Sequence, residues 1–346
     1  MKHLIPMLFL VLSLALPVSA LEITAPEAPT AASEVMPENT ASFGDALLEL
    51  LQRVILRIRP DLAEACSVSI SVIAAVMLVS LLNTFSSSVK KVTAAVGSAV
   101  IAAILILNTQ SMIGLASDTV CQMSDYGKLL YPVMTAALAA QGGAAASAAL
   151  YTGTAAFDML LGSLITKLLV PMVYIFLALA VGNCAAGEDI LKRMRDLIKN
   201  VVSWGLKTIL TVFTTYMSIT GVVSGTTDAA ALKATKVTIS SVVPVVGGIL
   251  SDASEAVLVS AGLMKNAAGI YGILAILALF LEPFLKIGIQ YLMLKATAAL
   301  CGIFGTKEMS GLIEDFGAAM GLLLAMTGSV CLLLLISTVC FMKGVG

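Results

Sequence analysis

Six long runs of apolar residues constrain the fold of this chain more than any other feature of its sequence. Apolar residues make up 59% of the 346 residues and charged residues only 12%, whereas a soluble domain carries about 25% charged residues. Each run is close to the length of about 20 residues that a helix needs to cross a bilayer. The sequence therefore predicts an all-α, polytopic helical membrane protein, with runs at about 63–82, 92–113, 160–181, 201–223, 267–290 and 317–341.

The first 20 residues have the three parts of a secretory signal peptide. Lys2 and His3 form a short basic start, residues 4–16 an apolar core, and Val18-Ser19-Ala20 a cleavage site of small residues. An uncleaved first span is the alternative, but this apolar core is short for a span of about 20 residues. We predict a signal peptide at 1–20 and a mature chain that starts outside the membrane.

Residues 21–62 are predicted to form an extracytoplasmic linker and an amphipathic helix. The linker, 21–41, is rich in Pro, Ala, Thr and Glu and has no periodicity, which is typical of an exposed segment. From Ser42 to Pro60 the apolar residues recur on one helical face. On the other face, Glu49 and Arg53 are four residues apart, which is the spacing of an ion pair on a helix. This helix is expected to lie on the outer leaflet, on a partner or on the protein's own spans.

Two basic loops orient the predicted transmembrane domain, residues 63–346. The loop at Lys90-Lys91 and the loop 187–200 should both be cytoplasmic, because cytoplasmic loops carry an excess of Lys and Arg. An even number of crossings must then separate them. We predict six spans with both termini outside, and two broken or re-entrant segments at 131–156 and 237–264. If both broken segments cross the membrane, the count is eight.

A polar loop is predicted to precede the first broken segment. Asp118, Asp125 and Lys128 interrupt the apolar pattern after residue 113 and indicate that loop. The stretch 131–156 is rich in Ala and Gly and contains Pro132. Because Pro removes a backbone donor and Gly loosens a helix, this stretch is expected to be outside the membrane or re-entrant.

An internal duplication relates the two broken segments. A shift of 112 residues pairs Pro132 with Pro244, and it also pairs Pro171 with Pro283. Each repeat would contain a span, a broken segment of small residues and a Pro-containing span. Transporter folds often arise from such repeats; chance similarity between apolar segments is the alternative. The predicted repeats lie near 89–200 and 201–320.

The stretch 224–272 lies between two apolar runs and yet carries charges around a core of Pro and Gly. It predicts a break at membrane depth, and such breaks are tolerated only when buried in protein or lining a watery cavity. Asp252 and Glu255 lie one helical turn apart, and they either face a polar cavity or are simply exposed. The candidate conduit residues of this charged break are Asp228, Lys233, Lys236, Pro244, Gly247, Gly248, Asp252 and Glu255.

Charged residues within the apolar runs, or at their ends, are further candidates, because charge in hydrocarbon is costly unless it faces a partner or water. Glu282 and Lys286 are four residues apart and can pair on one helical face. A self-neutralised pair at a helix end is the alternative. Lys167 and Lys207 either line a path or extend to the cytoplasmic interface. Asp158 belongs to the same class of residue.

The sequence contains no recognisable catalytic constellation. His3 is the only histidine and lies in the signal peptide, so the mature chain lacks the commonest general base and metal ligand. No G-x-x-x-x-G-K-[ST] phosphate loop is present, so the chain is not expected to hydrolyse nucleotide. A net charge of −1 gives no argument for binding nucleic acid. We expect no enzyme activity, no cofactor, and no catalytic, cofactor-binding or metal-binding residues.

A group of motifs in the 224–272 stretch is shared with a known family. These motifs are Ser224-Gly225-Thr226, Asp228, Leu232-Lys233, Lys236, Val243-Pro244-Val245-Val246-Gly247-Gly248, Ser251-Asp252 and Lys265-Asn266. They resemble the stage III sporulation protein AE family of endospore-forming bacteria. The signal peptide and the layout of spans are similar along the whole chain, while the specific match is confined to about 190–320.

The resemblance implies a membrane subunit of a multi-protein channel or secretion-like complex required for endospore formation. That complex lies in the mother-cell membrane facing the engulfed forespore. The implied partners are other membrane subunits of the complex, a separate cytoplasmic ATPase subunit and the lipid bilayer. A self-contained secondary transporter, with alternating access in its duplicated halves, is the alternative. A non-conducting assembly scaffold is a third interpretation.

The charged break generates a first prediction. Replacing Asp252→Asn together with Glu255→Gln removes both carboxylates and keeps the side-chain sizes, so sporulation should be impaired if the carboxylates face a polar conduit. Spore counts would be compared with the amount of the variant in the membrane, which should not fall. Normal sporulation of the double variant would contradict the hypothesis.

Overall fold

The structure is a computed structural model that describes residues 26–37, 43–85, 90–140, 144–219 and 267–343. Every regular element within these ranges is helical, so the predicted all-α class is confirmed for them. In chain order the elements are α1 (Thr30–Ser33), α2 (Phe43–Arg57), α3 (Arg59–Phe85), α4 (Lys90–Ala140), α5 (Ala144–Leu164), a π-helical turn (Ile165–Leu169), α6 (Val170–Ala186), α7 (Asp189–Ile219), α8 (Ala267–Phe304) and α9 (Lys307–Lys343).

Five of the described helices are long and apolar enough to cross a membrane, judged by length and composition. These segments are Arg59–Leu82, Ala95–Ala136, Ser147–Ala186, Gly269–Phe304 and Lys307–Met342. They support the predicted membrane class. The count of six to eight spans and the duplication are not confirmed. The signal peptide and the second broken segment fall in residues 1–25 and 220–266, outside the described residues, and stay predictions.

Helix α9 occupies the centre of the bundle. Between Phe316 and Met342 it carries no charged residue, and nearly all of this length is buried against α4, α5, α6, α7 and α8. A helix that is apolar on every face is buried by its neighbours. Its hydroxyl groups are satisfied within the helix, because Thr327, Ser329 and Ser337 donate to carbonyl oxygens four residues earlier at 3.1, 2.6 and 2.7 Å.

Helices α4 and α5 form a long antiparallel hairpin. Ser124 of α4 contacts Asp158 of α5, and these positions lie at similar distances on the two sides of residues 141–143. Such symmetric contacts are typical of two helices joined by a short connection. Most of the stretch 131–156, predicted to be broken, is therefore helical. Pro132 lies inside α4 and does not end it.

The prediction of a polar loop between residues 113 and 131 is wrong. Helix α4 continues through this stretch as one element of 51 residues. Asp118, Asp125 and Lys128 are seven and three positions apart, so they share one face of the helix, and all three are exposed. Lys128 Nζ pairs with Asp125 Oδ1 at 2.8 Å. Charges that share an exposed face do not need to interrupt a helix.

The span predicted at 160–181 lies inside a longer helical segment made of α5, the π-helical turn and α6. The turn precedes Pro171, which has no N–H to donate to the carbonyl of Lys167. A local π turn is one way in which a helix adjusts to such a missing bond. Helix α6 ends at Gly187, whose φ of 68° favours glycine and whose N–H donates to the Asn183 carbonyl at 2.8 Å.

Residues 201–219 of the span predicted at 201–223 belong to an amphipathic helix, and residues 189–200 of the predicted basic loop are helical too. Both lie in α7, which is not among the five apolar helices of the described chain. One face of α7 packs on the bundle through buried residues that include Val202, Leu206 and Phe213. The opposite face exposes Ile190, Met194, Leu197, Val201 and Trp204 at helical spacing. The predicted positive charges therefore lie on a helix that is apolar on two sides.

The amphipathic helix predicted before Pro60 is confirmed as α2, and it packs on the protein's own helix α8. Ala46, Leu50 and Val54 of its apolar face are buried. Arg53 Nη2 lies 2.5 Å from Glu49 Oε1, as the spacing predicted. Of the three locations expected for this helix, the structure shows packing on the protein itself.

A glycine on α4 provides a test of this packing. A Cβ atom at Gly97 would lie 2.8 Å from Val79 Cγ1 and 2.9 Å from Met309 Cε, where α3, α4 and α9 meet. Gly97→Ala should therefore destabilise the bundle by about 1–3 kcal/mol through overpacking. Thermal unfolding of the purified protein in detergent would measure the change.

Gly114 is the matched control for this substitution, because it lies on the same helix and a Cβ atom there meets nothing within 4 Å. Gly114→Ala should stabilise α4 by about 0.5–1 kcal/mol, since alanine loses less backbone entropy than glycine in a helix. Equal stability of the two variants would show that α3, α4 and α9 do not pack as described.

Candidate functional site

Glu282 and Lys286 of α8 meet on one face of the helix, as the sequence predicted. Lys286 Nζ lies 3.2 Å from Glu282 Oε1, and the side chains are 27% and 21% exposed. Pro283 lies between them inside α8. Because Pro283 has no backbone N–H, the carbonyl of Leu279 lacks its usual partner in the helix. A partly buried ion pair therefore coincides with an interruption in the backbone hydrogen bonds of α8.

This ion pair belongs to a larger charged cluster, which we define as Glu34, Arg57, Asp61, Glu282 and Lys286. Arg57 ends α2, and its Nη1 lies 3.5 Å from Glu282 Oε2. Asp61 lies in the first turn of α3, with Oδ1 3.7 Å from Lys286 Nζ. Arg57 also pairs with Glu34, which follows α1. Acidic and basic groups from three separate parts of the chain thus alternate in space.

The charged cluster forms because α3 and α8 run side by side in the same direction. Arg57 and Asp61 are four positions apart, as are the two cluster residues of α8, and the order of charges is reversed between the pairs. Each base therefore faces an acid. Further along both helices, Ser80 Oγ lies 2.5 Å from the carbonyl oxygen of Phe304. Polar contacts therefore join α3 and α8 at two places, near Asp61 and near Ser80.

Asp61 has unused hydrogen-bonding capacity. Its Oδ2 is buried and accepts no hydrogen bond from the described residues, and 3.7 Å from Oδ1 to Lys286 Nζ is too long for a hydrogen bond. The charged cluster contains three acids and two bases, which leaves an excess of one negative charge. A buried carboxylate oxygen normally has a donor or a cation beside it. The cluster can therefore take a further donor from water, a cation or another protein chain.

Glu34 is the most exposed acid of the charged cluster. Arg57 lowers the pKa of the Glu34 carboxyl, mainly through its hydrogen bond and to a smaller extent through its positive charge. A lowered pKa stabilises the folded state above the ordinary pKa of a glutamate, and this stabilisation is lost as the pH falls through the lowered value. The pair is largely exposed, so its contribution to stability is small.

A second polar site, the charged cleft, lies where α6 ends and where α7 and α9 begin. Arg195 Nη1 and Asp315 Oδ2 are 2.5 Å apart, and each side chain is only 13% exposed. Lys295 pairs with Glu314 at 2.7 Å beside them. The cleft has a volume of about 270 Å³, and its charged lining residues are Lys192, Arg195, Lys307, Glu308, Glu314 and Asp315. Equal numbers of acids and bases suit a partner surface that also carries both signs.

Lys167 and Lys207 belong to neither site. Lys167 lies in the π-helical turn and Lys207 on α7, and both are exposed. Neither has an ion-pair partner within the part of the chain that the structure describes. Their side chains are therefore free to reach the end of the bundle or a lipid headgroup, as expected for lysines at the margin of an apolar segment.

The candidate residues of the charged break lie outside the described residues. These are Asp228, Lys233, Lys236, Pro244, Gly247, Gly248, Asp252 and Glu255. The hypothesis that they line or flank a conduit stays a prediction.

The sequence did not reveal the partners of Glu282 and Lys286. Arg57 belongs, by periodicity, to the polar face of an amphipathic helix, and Asp61 simply follows Pro60. The sequence did contain one signal of this contact. Each segment has two opposite charges four residues apart, and the order of acid and base is reversed between the segments. That signal is weak, because many segments with such spacing never meet in space.

Neutralising Glu282 should destabilise the protein, because the exposed Arg57 and the partly buried Lys286 would lose their shared acid. Glu282→Gln should cost about 1–3 kcal/mol, between the values typical of exposed and of buried pairs. Denaturant unfolding of the purified protein in detergent would measure the loss. A double-mutant cycle with Arg57→Gln would isolate the contact between the two residues.

Glu314→Gln is the matched control, since Glu314 is 61% exposed and pairs with a lysine in the same way. It should cost less than about 1 kcal/mol. If both variants lost the same stability, the charged cluster would have no structural role beyond that of a surface pair.

Comparison with known proteins identifies the family. The model of the family "Stage III sporulation protein AE" matches residues 31–344. A curated relative, the stage III sporulation protein AE of Bacillus subtilis (strain 168), is 26% identical over 227 residues, which are 65% of this chain and 57% of the relative. No solved structure matches the chain. Because the family match extends over most of its length, the chain belongs to the stage III sporulation protein AE family, whose name implies a role in endospore formation.

Proposed function

We propose that the protein is a membrane subunit of a multi-protein channel or secretion-like complex required for endospore formation. Its proposed location is the mother-cell membrane that faces the engulfed forespore. Family membership supports the role in sporulation. The observation that carries the proposal of a subunit is the position of α9 in the centre of the bundle.

A buried apolar helix fills the place where a self-contained channel would have its path. A polar solute or a protein segment needs polar groups or water along its route. The interior around α9 is instead packed with apolar side chains such as Leu323, Leu333 and Phe341. A conduit that uses this protein would therefore run along the outside of the described bundle. Another subunit, or the charged break of this chain, would form its other wall.

The two polar sites provide surfaces for such neighbours. The charged cleft lies at the end of the bundle where α4 begins with Lys90-Lys91 and where the basic part of α7 lies. The excess of Lys and Arg in cytoplasmic segments favours the cytoplasm for this end. We propose the charged cleft as the contact for the cytoplasmic ATPase subunit. That subunit would supply energy, since we expect this chain to have no enzyme activity and no cofactor.

A self-contained secondary transporter is the second candidate. The specific observation in its favour is Asp158, a carboxylate that is 2% exposed between α4 and α5. Buried acids within membrane segments often bind the ions that drive transport. The duplication would then relate two halves that alternate between open states. A non-conducting scaffold is the third candidate, and it shares the need for partners with the first.

Purification from sporulating cells tests the proposed function. The tagged full-length protein should copurify with other membrane subunits and with a cytoplasmic ATPase. Lys192→Glu together with Lys307→Glu should weaken the recovery of the ATPase at least tenfold, because the charged cleft would lose its balance of charge. Lys128→Glu is the control, because it lies on an exposed face of α4 away from the cleft, and it should leave recovery unchanged.

Solute flux distinguishes the alternatives. The purified protein alone in proteoliposomes should show no flux of ions or small solutes, whereas flux without partners would establish the transporter. Full recovery of the partners, with no conductance after all of them are reconstituted together, would favour the scaffold. Absence of any partner after purification would contradict both the channel subunit and the scaffold.

A further inference from the structure

We propose that Asp158 is a proton-binding site inside the helical bundle, holding a proton in the packing seen here and reached from the surface through a cavity beside Ser124. The site shares no residue with the charged cluster or the charged cleft. Its ligand is the proton itself. The proposal does not depend on whether the protein is a channel subunit or a transporter.

Asp158 is held between two helices. Asp158 lies on α5 and is 2% exposed. Ser124 Oγ of α4 donates a hydrogen bond of 2.7 Å to Asp158 Oδ2. A single neutral donor compensates only a small part of the hydration that an ionised carboxylate loses on burial. The geometry therefore favours a neutral, protonated acid.

No cation of the described residues forms an ion pair with Asp158. No basic side chain of the described residues lies within ion-pair distance of Asp158, and Lys128, the nearest basic residue on α4, is exposed and paired with Asp125 at 2.8 Å. Asp125 adds a negative charge on the same side. An ionised Asp158 would thus be buried without an ion-pair partner among the described residues, which is an unfavourable arrangement for a carboxylate.

Among the described residues, the other helices that pack against α5 place no charge beside Asp158, and Lys167 of the π-helical turn after α5 is exposed. Helix α9 has no charged side chain from Phe316 to Met342, and α7 has none after Lys207. Helix α5 carries only Asp158 itself. On α4, the titratable residue Tyr131 is buried, and it is uncharged near neutral pH. Among the described residues, the protonation of Asp158 therefore depends mainly on burial and on Ser124, with smaller effects from the exposed pair of Lys128 and Asp125.

A surface cavity reaches Ser124, the hydrogen-bond partner of Asp158, although Asp158 itself does not line it. Its volume is about 190 Å³, which is room for several water molecules. Its polar lining is formed by Cys121, Ser124, Asp125, Lys128, Ser163 and Thr166. Ser124 belongs both to this lining and to the hydrogen bond with Asp158, so its hydroxyl links the buried acid to water.

The π-helical turn lies beside the same cavity. Thr166 is part of the turn at Ile165–Leu169 and lines the cavity. Turns of this kind are rare and occur frequently at functional sites, where they re-aim side chains. Proton uptake forms one O–H bond on the Asp158 carboxylate and removes one negative charge, and release reverses both changes without any co-reactant. The turn provides a place where the hairpin can adjust to that change.

Infrared difference spectroscopy of the full-length protein in lipid nanodiscs tests the proposal. At neutral pH the wild-type protein should show the C=O stretch of a protonated carboxylic acid, and Asp158→Asn should remove that band. Asp118→Asn, which changes an exposed carboxylate of α4, should leave it unchanged. The band of the wild-type protein should also shift soon after transfer to D2O, because the cavity admits water.

Thermal unfolding at different pH values gives a second measurement. The stability of the wild-type protein should fall as the pH rises from the ordinary pKa of an aspartate, about 4, toward neutral, because over this range the folded state keeps a proton that the unfolded chain has lost. Asp158→Asn should flatten this pH dependence. Ser124→Ala keeps the acid and should shift the frequency of its infrared band, which tests the site even if Asp158→Asn fails to fold.

Three results would overturn the proposal. One is a wild-type spectrum without a protonated-acid band at neutral pH. Another is a band that persists in Asp158→Asn. The third is an unfolding temperature that rises with Na⁺ but not with choline in the wild-type protein and does not rise with Na⁺ in Asp158→Asn. That result would show that the site binds a metal cation.

Discussion

The enclosure of α9 by its neighbours is the constraint on which the rest of the bundle depends. In a membrane, an apolar helix gains little by leaving lipid for protein, because lipid tails are as apolar as leucine side chains. The enclosure must therefore come from close packing, which explains why small residues such as Gly97 lie where three helices meet. Helices α4 to α8 surround α9. The space around α9 is therefore apolar, and the charged cluster and the charged cleft lie where helices begin and end.

The polar groups of the bundle are placed according to this constraint. The charged cluster lies at the joint between α2 and α3, and the charged cleft at the joint between α6 and α7, where helix ends leave backbone groups that need partners. At both joints several acids and bases neutralise one another. Asp158 differs because it lies in the middle of a helical hairpin with one hydroxyl partner. A buried acid with no basic partner among the described residues can change its charge, whereas acids and bases that pair with one another hold helices together.

Local patterns predicted a large part of the structure. The ion pairs Glu49–Arg53 and Glu282–Lys286 follow from four-residue spacing on one helix, and both are present. The end of α2 before Pro60 follows from the missing backbone donor of proline. The predicted loop after residue 113 was wrong, because charge was taken as a sign of a break although the three residues share one exposed helical face. Pro132 shows the same limit, since a long helix that is packed on several sides continues past a proline.

The sequence by itself determined the class of this protein: its apolar runs require helices, and its scarcity of charge requires a membrane. It also determined the short-range pairs, because a helix has the same geometry wherever it occurs. Only the tertiary structure decided that α9 is central, that Arg57 and Asp61 meet the charges of α8, and that Ser124 reaches Asp158. These contacts join segments that are distant in the chain. Apolar helices of similar composition can pack in many orders, and the choice among them depends on the shapes of all the surfaces at once.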